Sequence, residues 1–264
     1  MKEILKHKIE SALGDKIISQ RQISGGCIND AEIVTCKSGK TFFVKTNNNS
    51  TSDMFVKETN GLLELVKAGV IRVPKIIHAE ADFIILENIS SKNKDKLFWG
   101  NFGRNFAMLH KYTSVSFGFY EDNFIGSTPQ LNHTSSTEKI NWTEFYFNKR
   151  ILYQYKLAEN KGYTGEELRK CFSRLESKIN LIFNDCNVKP SLLHGDLWSG
   201  NFITDETGNA CLIDPAVYYG HREADLAMTK LFGGFDSRFY DAYNEEYHLD
   251  SGYGYRENIY KLYH

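Results

Sequence analysis

Apolar residues change rhythm several times along the first third of the chain. In "MKEILKHKIESALG" charges recur at nearly every turn between apolar positions, which predicts an amphipathic helix. The next stretch, "KIISQRQISGGCINDAEIVTCKSGKTFFVKT", is rich in Ile, Val, Thr and Phe. It is broken at Gly25-Gly26 and at Ser38-Gly39, which predicts three antiparallel strands. "SDMFVKETNGLLELVKAG" returns to helical spacing, with Ser52 or Asp53 as N-cap and Gly69 as stop. Two further β-rich runs follow at 75–79 and 82–87. Residues 1–90 therefore read as a small β-rich lobe with one principal inserted helix.

The remainder, 91–264, is mainly helical in pattern. Apolar residues recur at helical spacing over 96–112 and 142–160, and Thr164 with Glu167 forms a capping box that opens a third helix to about Asp185. Two short strands, "NFIT" and "ACLID", are joined by the turn-rich "DETGN", a hairpin signature. The segment 113–140 is too long for a passive connection and is expected to cover a substrate. The expected class is α+β and bilobal, with a β-rich N-terminal lobe and a helical C-terminal lobe.

Composition narrows the partner. The 264 residues are 41% hydrophobic, enough for a sizeable core, and 32 Lys and Arg against 33 Asp and Glu leave a net charge of -1. That balance gives no broad footprint for nucleic acid or membrane, so a small-molecule partner is expected. The five cysteines have no metal-site spacing, which fits a reducing compartment. The N-terminus lacks the apolar core of a signal peptide, so the expected location is cytoplasmic.

The chemistry concentrates in "LLHGDLWSGNF". Asp196 and Asn201 are five residues apart, and Asp214 ends the next strand. Phosphoryl transfer needs charge neutralisation and an acceptor oxygen held in line, and a carboxylate with an amide oxygen suits hard Mg2+. A second Asp can take the acceptor proton. Protein kinases use the same separation in H-R-D-x-x-x-x-N, with Gly here in place of Arg and DPA in place of DFG. Alone, such residues commonly cap turns. Upstream, however, Lys45 closes the strand "TFFVKT" and Glu58 follows on a helix, in the order a nucleotide-phosphate lysine and its partner require. Gly25 and Gly26 then become a candidate phosphate-covering loop, and backbone groups of Glu87, Asn88 and Ile89 candidates for an adenine edge. Cys27 stays unassigned. These features predict a protein-kinase-like fold using ATP.

Several separated stretches, "LLHGDLWSGN", "FGFYEDNFIGSTPQLN", "NWTEFYFNKRIL" and "DPAVYYGHREADLAMTKLFGGF", make the chain resemble the fructosamine kinase (ketosamine kinase) family. The resemblance implies ATP-dependent phosphorylation of a sugar hydroxyl in a ketoamine, free or protein-bound, as a step in deglycation. It makes Asp196 the proton acceptor, Asn201 and Asp214 the metal ligands, and Lys45 the phosphate ligand positioned by Glu58. Trp198 either faces the sugar or packs between lobes. His221 and Glu223 are candidates for a substrate amine or hydroxyl. Asp225 and His194 read as braces of the catalytic loop rather than as acid or base. The family commonly continues past "ENIYKLYH", whereas this sequence stops at His264 within an apparent helix, leaving a monomer or weak dimer as the expected state. Kinases of another small alcohol, such as an aminoglycoside or choline, and a catalytically silent nucleotide-binding regulator are the competing readings.

Overall fold

The computed structural model describes residues 1–23, 30–47, 53–184 and 188–264. Helix α1 (Glu3–Leu13) leads into strands β1 (Ile17–Gln22), β2 (Asp30–Cys36) and β3 (Thr41–Thr46). After α2 (Met54–Ala68) come β4 (Ile76–Ala79) and β5 (Phe83–Glu87). The five strands form one antiparallel sheet in the order β1-β2-β3-β5-β4. The turn at Ser38-Gly39 is made as expected, with Gly39 at φ 84°. Gly25-Gly26 and Ser52 lie outside the described residues.

β5 is apolar at every position from Phe83 to Leu86 because the sheet is covered on both faces. Phe83 and Ile85 join Ile9 of α1, while Ile84 and Leu86 join Phe55, Leu62 and Leu65 of α2. Alternation along a strand sends successive side chains to opposite faces, so a run of four buried residues serves two layers.

The rest of the chain is helix broken by short strand pairs: α3 (Phe98–His110), β6 (Asn123–Ile125), β7 (Thr128–Gln130), α4 (Trp142–Tyr146), a π-helical turn (Phe147–Ile151), α5 (Leu152–Asn160) and α6 (Glu166–Phe183). There follow β8 (Ser191–Leu193), β9 (Phe202–Thr204), β10 (Ala210–Leu212), β11 (Tyr218–Gly220), α7 (Arg222–Thr229), α8 (Ser237–Glu246) and α9 (Tyr253–Lys261). β9 and β10 form the expected hairpin. The expected capping box is not made: Gly165 is the N-cap of α6, and Thr164 is buried. The helix at the end of the chain stops at Lys261, and Tyr263 packs inside. The π turn lies in the middle of the helical stretch 142–160. It carries Arg150, a fully buried guanidinium that donates to the Leu131 carbonyl and to Asn132 Oδ1.

One apolar core runs from α2 and β5 through Phe98, Phe102 and Phe106 of α3 to Leu212, Leu226 and Phe239. A second gathers Trp142, Phe145, Tyr146, Phe183, Tyr218 and Tyr260. No described helix is long and apolar enough to cross a membrane. Segment 113–140 folds as the β6–β7 hairpin with flanking turns. Gly118 exchanges backbone hydrogen bonds of 2.9 Å with Tyr219, so the segment is docked along β11.

Candidate active site

The sheet and the helical part meet at Lys45. Its ammonium donates to Glu58 Oε1 at 2.7 Å and also to Asp214 Oδ1. Lys45 and Glu58 come from β3 and α2, and Asp214 follows β10, so three elements far apart in sequence converge on one cation. Burial alone would lower the Lys45 pKa, but the two carboxylates outweigh it and raise it, so the lysine stays charged. Burial raises the Glu58 carboxyl, an effect that Lys45 offsets only in part.

Asp214 has φ 55°, alone among the described non-glycine residues in being at positive φ. Such a backbone is costly and persists where neighbours hold it. Here the Ile213 amide donates to the Asn201 carbonyl at 3.0 Å and the Ala216 amide to the His194 carbonyl at 2.9 Å. Asn201 and Asp214 thus sit together at one end of the β9–β10 hairpin. The Asn201 amide nitrogen donates to the Asp196 carbonyl at 2.7 Å and to Asp196 Oδ2 at 3.1 Å, which leaves Asn201 Oδ1 as an acceptor. These two hard oxygens beside a lysine would fit a small divalent cation. Among the described residues, no cluster of three or more His, Cys, Asp or Glu is gathered for a metal.

Asp196 is only partly exposed, and burial pushes its carboxyl up to about 7, helped by the negative Asp214 and Asp225 and opposed by Asn201. Its backbone is set by Gly195, at φ 81°, and by a buried polar hub. Asp225 on α7 accepts from the amides of His194 (2.7 Å) and Gly195 (2.8 Å). It also accepts from His110 Nε2 at 3.2 Å, and His110 Nδ1 accepts from the Tyr243 hydroxyl at 2.7 Å. His194 Nδ1 accepts from the Asp196 amide at 3.3 Å while Nε2 donates to the Ile213 carbonyl at 3.0 Å. Asp225 and His194 are therefore braces, and His110 is a third that sequence reasoning misses. A histidine closing an amphipathic helix carries no signal of its role.

Burial lowers the pKa of His110 and His194, and burial with Arg222 and Arg256 lowers that of His221 still further. Below the ordinary histidine value of about 6.5 the unfolded chain binds these protons first, so acidification draws stability from each site. The raised Asp196 carboxyl acts in the opposite sense as pH falls below about 7. The imidazoles are accordingly best read singly. In a 15N-detected NMR titration, all three are expected to show midpoints below 6.5, and a normal or raised midpoint would contradict the buried neutral hub.

The remaining candidates separate. Trp198 is partly exposed, its ring packed edge-on at 5.5 Å against Phe232, a 59% exposed side chain that sequence reasoning does not single out. Gly200 lies under the Trp198 ring, where any Cβ would collide with it. Glu87 belongs to β5. Its amide donates to the Lys75 carbonyl at 2.8 Å, and its carboxylate accepts from Arg72 at 2.9 Å and from the Lys75 amide at 3.1 Å. That amide is spent on the sheet and does not face a ligand. Asn88 and Ile89 follow, partly exposed, at the junction of the two parts, with Asn88 Nδ2 donating to Thr41 Oγ1 at 3.0 Å.

His221 and Glu223, expected to reach a substrate, are not brought to the surface of the cleft. His221 is 2% exposed and pairs with the Tyr260 hydroxyl at 2.6 Å. Glu223 is fully buried against Arg256 at 2.6 and 2.7 Å. Both open α7, whose eight residues are all buried, so polar groups there are matched internally. Gly25, Gly26 and Cys27 lie outside the described residues.

The fructosamine kinase family model matches residues 1–264. The protein-ribulosamine 3-kinase of Arabidopsis thaliana chloroplasts is 40% identical over 253 residues, covering 92% of this chain and 74% of its own. A solved fructosamine-3-kinase candidate from Thermobifida fusca superposes with a TM-score of 0.86 at 27% identity, over 98% of this chain and 89% of that one. The choline kinase LicA of Streptococcus pneumoniae reaches a TM-score of 0.59 at 22% identity, over 98% and 84%, a likeness of fold alone.

Proposed function

Because the chain belongs to the fructosamine kinase family, we propose that the cleft around Lys45 and Asp196 transfers a phosphoryl group from ATP to a sugar hydroxyl of a ketosamine. The enzyme is an ATP-dependent phosphotransferase with a protein-kinase-like fold, and its substrates are fructosamine or ribulosamine adducts, so it serves deglycation. The observation that carries the assignment of roles is the convergence of Glu58, Lys45 and Asp214, with Asp196 joined to Asn201 beside them.

In this reading Lys45 grips nucleotide phosphate and Glu58 holds its ammonium in place. Asn201 Oδ1 and the Asp214 carboxylate are the protein ligands for Mg2+, which when bound neutralises phosphate charge. Asp196 takes the proton of the acceptor hydroxyl as that oxygen bonds to the γ-phosphorus and the bond to the β-phosphate oxygen breaks, with ADP as leaving group. A carboxyl near pH 7 in proton affinity is a competent acceptor at neutral pH. Trp198, with Phe232 packed edge-on against it, supplies an apolar face for the sugar or its amine linker. Asn88 and Ile89 edge the adenine side, with Gly25 and Gly26 over the phosphates. We keep the division into an N-terminal nucleotide lobe, 1–90, and a catalytic lobe, 91–264. Cys36, Cys171 and Cys211, free thiols among the described residues, support a reducing, cytoplasmic setting.

The test is a phosphoryl-transfer screen with ATP and Mg2+ against ribulosamine and fructosamine compounds, choline and aminoglycosides, locating the phosphate by NMR. Transfer to ketosamines, lost on chelation of the metal, is expected. Transfer only to the other alcohols, or nucleotide binding with no transfer at all, overturns the reading.

A further inference from the structure

One stripe of α2 faces the docked segment 113–140 and the residues after Asp214. Lys57, Asn60, Gly61 and Glu64 fall at the spacing of a single helical face. Lys57 Nζ lies 5.1 Å from the centre of the Phe124 ring. Asn60 Nδ2 donates to Glu121 Oε1 at 2.9 Å. Gly61 lies so close to Pro215 and Val217 that a Cβ would stand 3.3 and 3.4 Å from their side chains. Glu64 Oε1 accepts from the Tyr219 hydroxyl at 2.8 Å.

The far side of this contact is itself immobilised. Asn123 Nδ2 donates to the Val217 carbonyl and Gln130 Nε2 to the Ala216 carbonyl, both at 2.8 Å. Gln130 also donates to Asn123 Oδ1 at 2.8 Å, so the two amides lock each other's orientation. Asn123 and Gln130 are buried, and with Gly118 against Tyr219 they fuse the hairpin to residues 216–219. Those residues directly follow Asp214. The α2 helix, the hairpin and the Asp214 segment thus make one block, and Glu58, one residue from the gripped stripe, is carried by it.

We propose that Asn60 and Glu121 are positioning residues that pin α2 to this block and so hold Glu58 against Lys45, making the hairpin 118–130 a built-in clamp on the nucleotide lysine. The proposal rests on the kinase reading for the role of Lys45, and it changes the expected use of segment 113–140 from substrate cover to helix anchor. Of the four α2 contacts, Asn60 with Glu121 is the one that is polar, half-buried and removable without opening the core. Among the described residues the Asn60 and Glu121 side chains bond to each other and to neither Asp196 nor Trp198, so the consequence falls on nucleotide handling.

The test measures MgATP affinity by calorimetry, KM for ATP and for a ketosamine, melting temperature, and amide hydrogen exchange along α2 without nucleotide. Glu121→Ala and Asn60→Ala are each expected to weaken MgATP binding and raise KM for ATP by about tenfold, the range of a lost charge-assisted hydrogen bond. The double variant should be no worse than either single one. Glu121→Gln, which keeps an acceptor oxygen, should restore most of the loss. Exchange in α2 should quicken in Glu121→Ala and not in Glu121→Gln, while KM for the ketosamine stays within twofold. Wild-type MgATP affinity in both alanine variants overturns the proposal, as does an equal rise in both substrates' KM together with a fall in melting temperature. Calorimetry and exchange need no acceptor, so failure of the ketosamine assignment leaves this test intact.

Discussion

Asp196→Asn is expected to cut kcat by about 10²- to 10⁴-fold, the contribution of a positioned proton acceptor, with MgATP affinity unchanged. The substitution keeps the shape of the side chain and an oxygen that can accept from Asn201 Nδ2, so the loop's internal contacts survive. What disappears is the basic oxygen. In the wild-type protein the carboxyl sits at about 7 because it is partly buried among other acids, and no neighbouring group replaces it: His194 spends both ring nitrogens on the backbone. Steady-state turnover with ATP and ketosamine, alongside calorimetric nucleotide binding, decides the matter. Turnover within tenfold of wild type would assign the proton to some other group.

Gly195→Ala is expected to destabilise the protein by about 2–5 kcal/mol, combining left-handed backbone strain with overpacking. Gly195 has φ 81°, and a Cβ there would penetrate the Ala216 carbonyl oxygen. Its amide is also bound to Asp225 Oδ1 at 2.8 Å, so the backbone cannot swing away without releasing the hub. Because Ala216 lies two residues beyond Asp214, any accommodation separates the Asp196 loop from the Asp214 segment. Denaturant midpoints at constant slope measure the first effect, and the residual turnover of the folded fraction measures the second. A variant of wild-type stability would mean that the close approach of these two segments is not required.

The strands of the sheet are legible in sequence because each carries β-branched or aromatic residues between turn-forming ones, as in "TFFVKT" and "FIILE". The convergence of Lys45 with Glu58 and Asp214, and of Asp196 with Asn201, is legible because those residue types stand in the order and spacing expected of a phosphoryl-transfer site. β8 and β11 are not, since each is three residues long and pairs across the intervening β9–β10 hairpin and its flanking turns, a contact that no local periodicity encodes. The polar residues at the start of α7 and its N-cap mislead for a related reason. His221 and Glu223 look like binding groups beside a catalytic motif, yet their partners Tyr260 and Arg256 lie in α9, and only the tertiary fold brings them together. Gly165 displaces Thr164 as a cap because the threonine side chain is taken into the interior.

Arg72 carries a mechanical consequence. Its guanidinium spans Glu87 at the end of β5 (2.9 Å), Asp205 (3.1 Å) and Glu206 (2.7 Å) in the β9–β10 turn, and its carbonyl accepts from the Leu212 amide at 2.9 Å. Burial would raise the Asp205 carboxyl, but hydrogen bonds from Thr207, Asn209 and Arg72 hold it at about 2, so Asp205 stays ionised across the physiological range. A planar fork serving three carboxylates is something a lysine cannot reproduce. The sheet and the β9–β10 hairpin are therefore riveted at the end of β5, a joint additional to the Lys45–Asp214 pair and the α2 contacts. A shift of the sheet end at Glu87 is therefore transmitted through Arg72 to a hairpin whose opposite end carries Asn201 and Asp214.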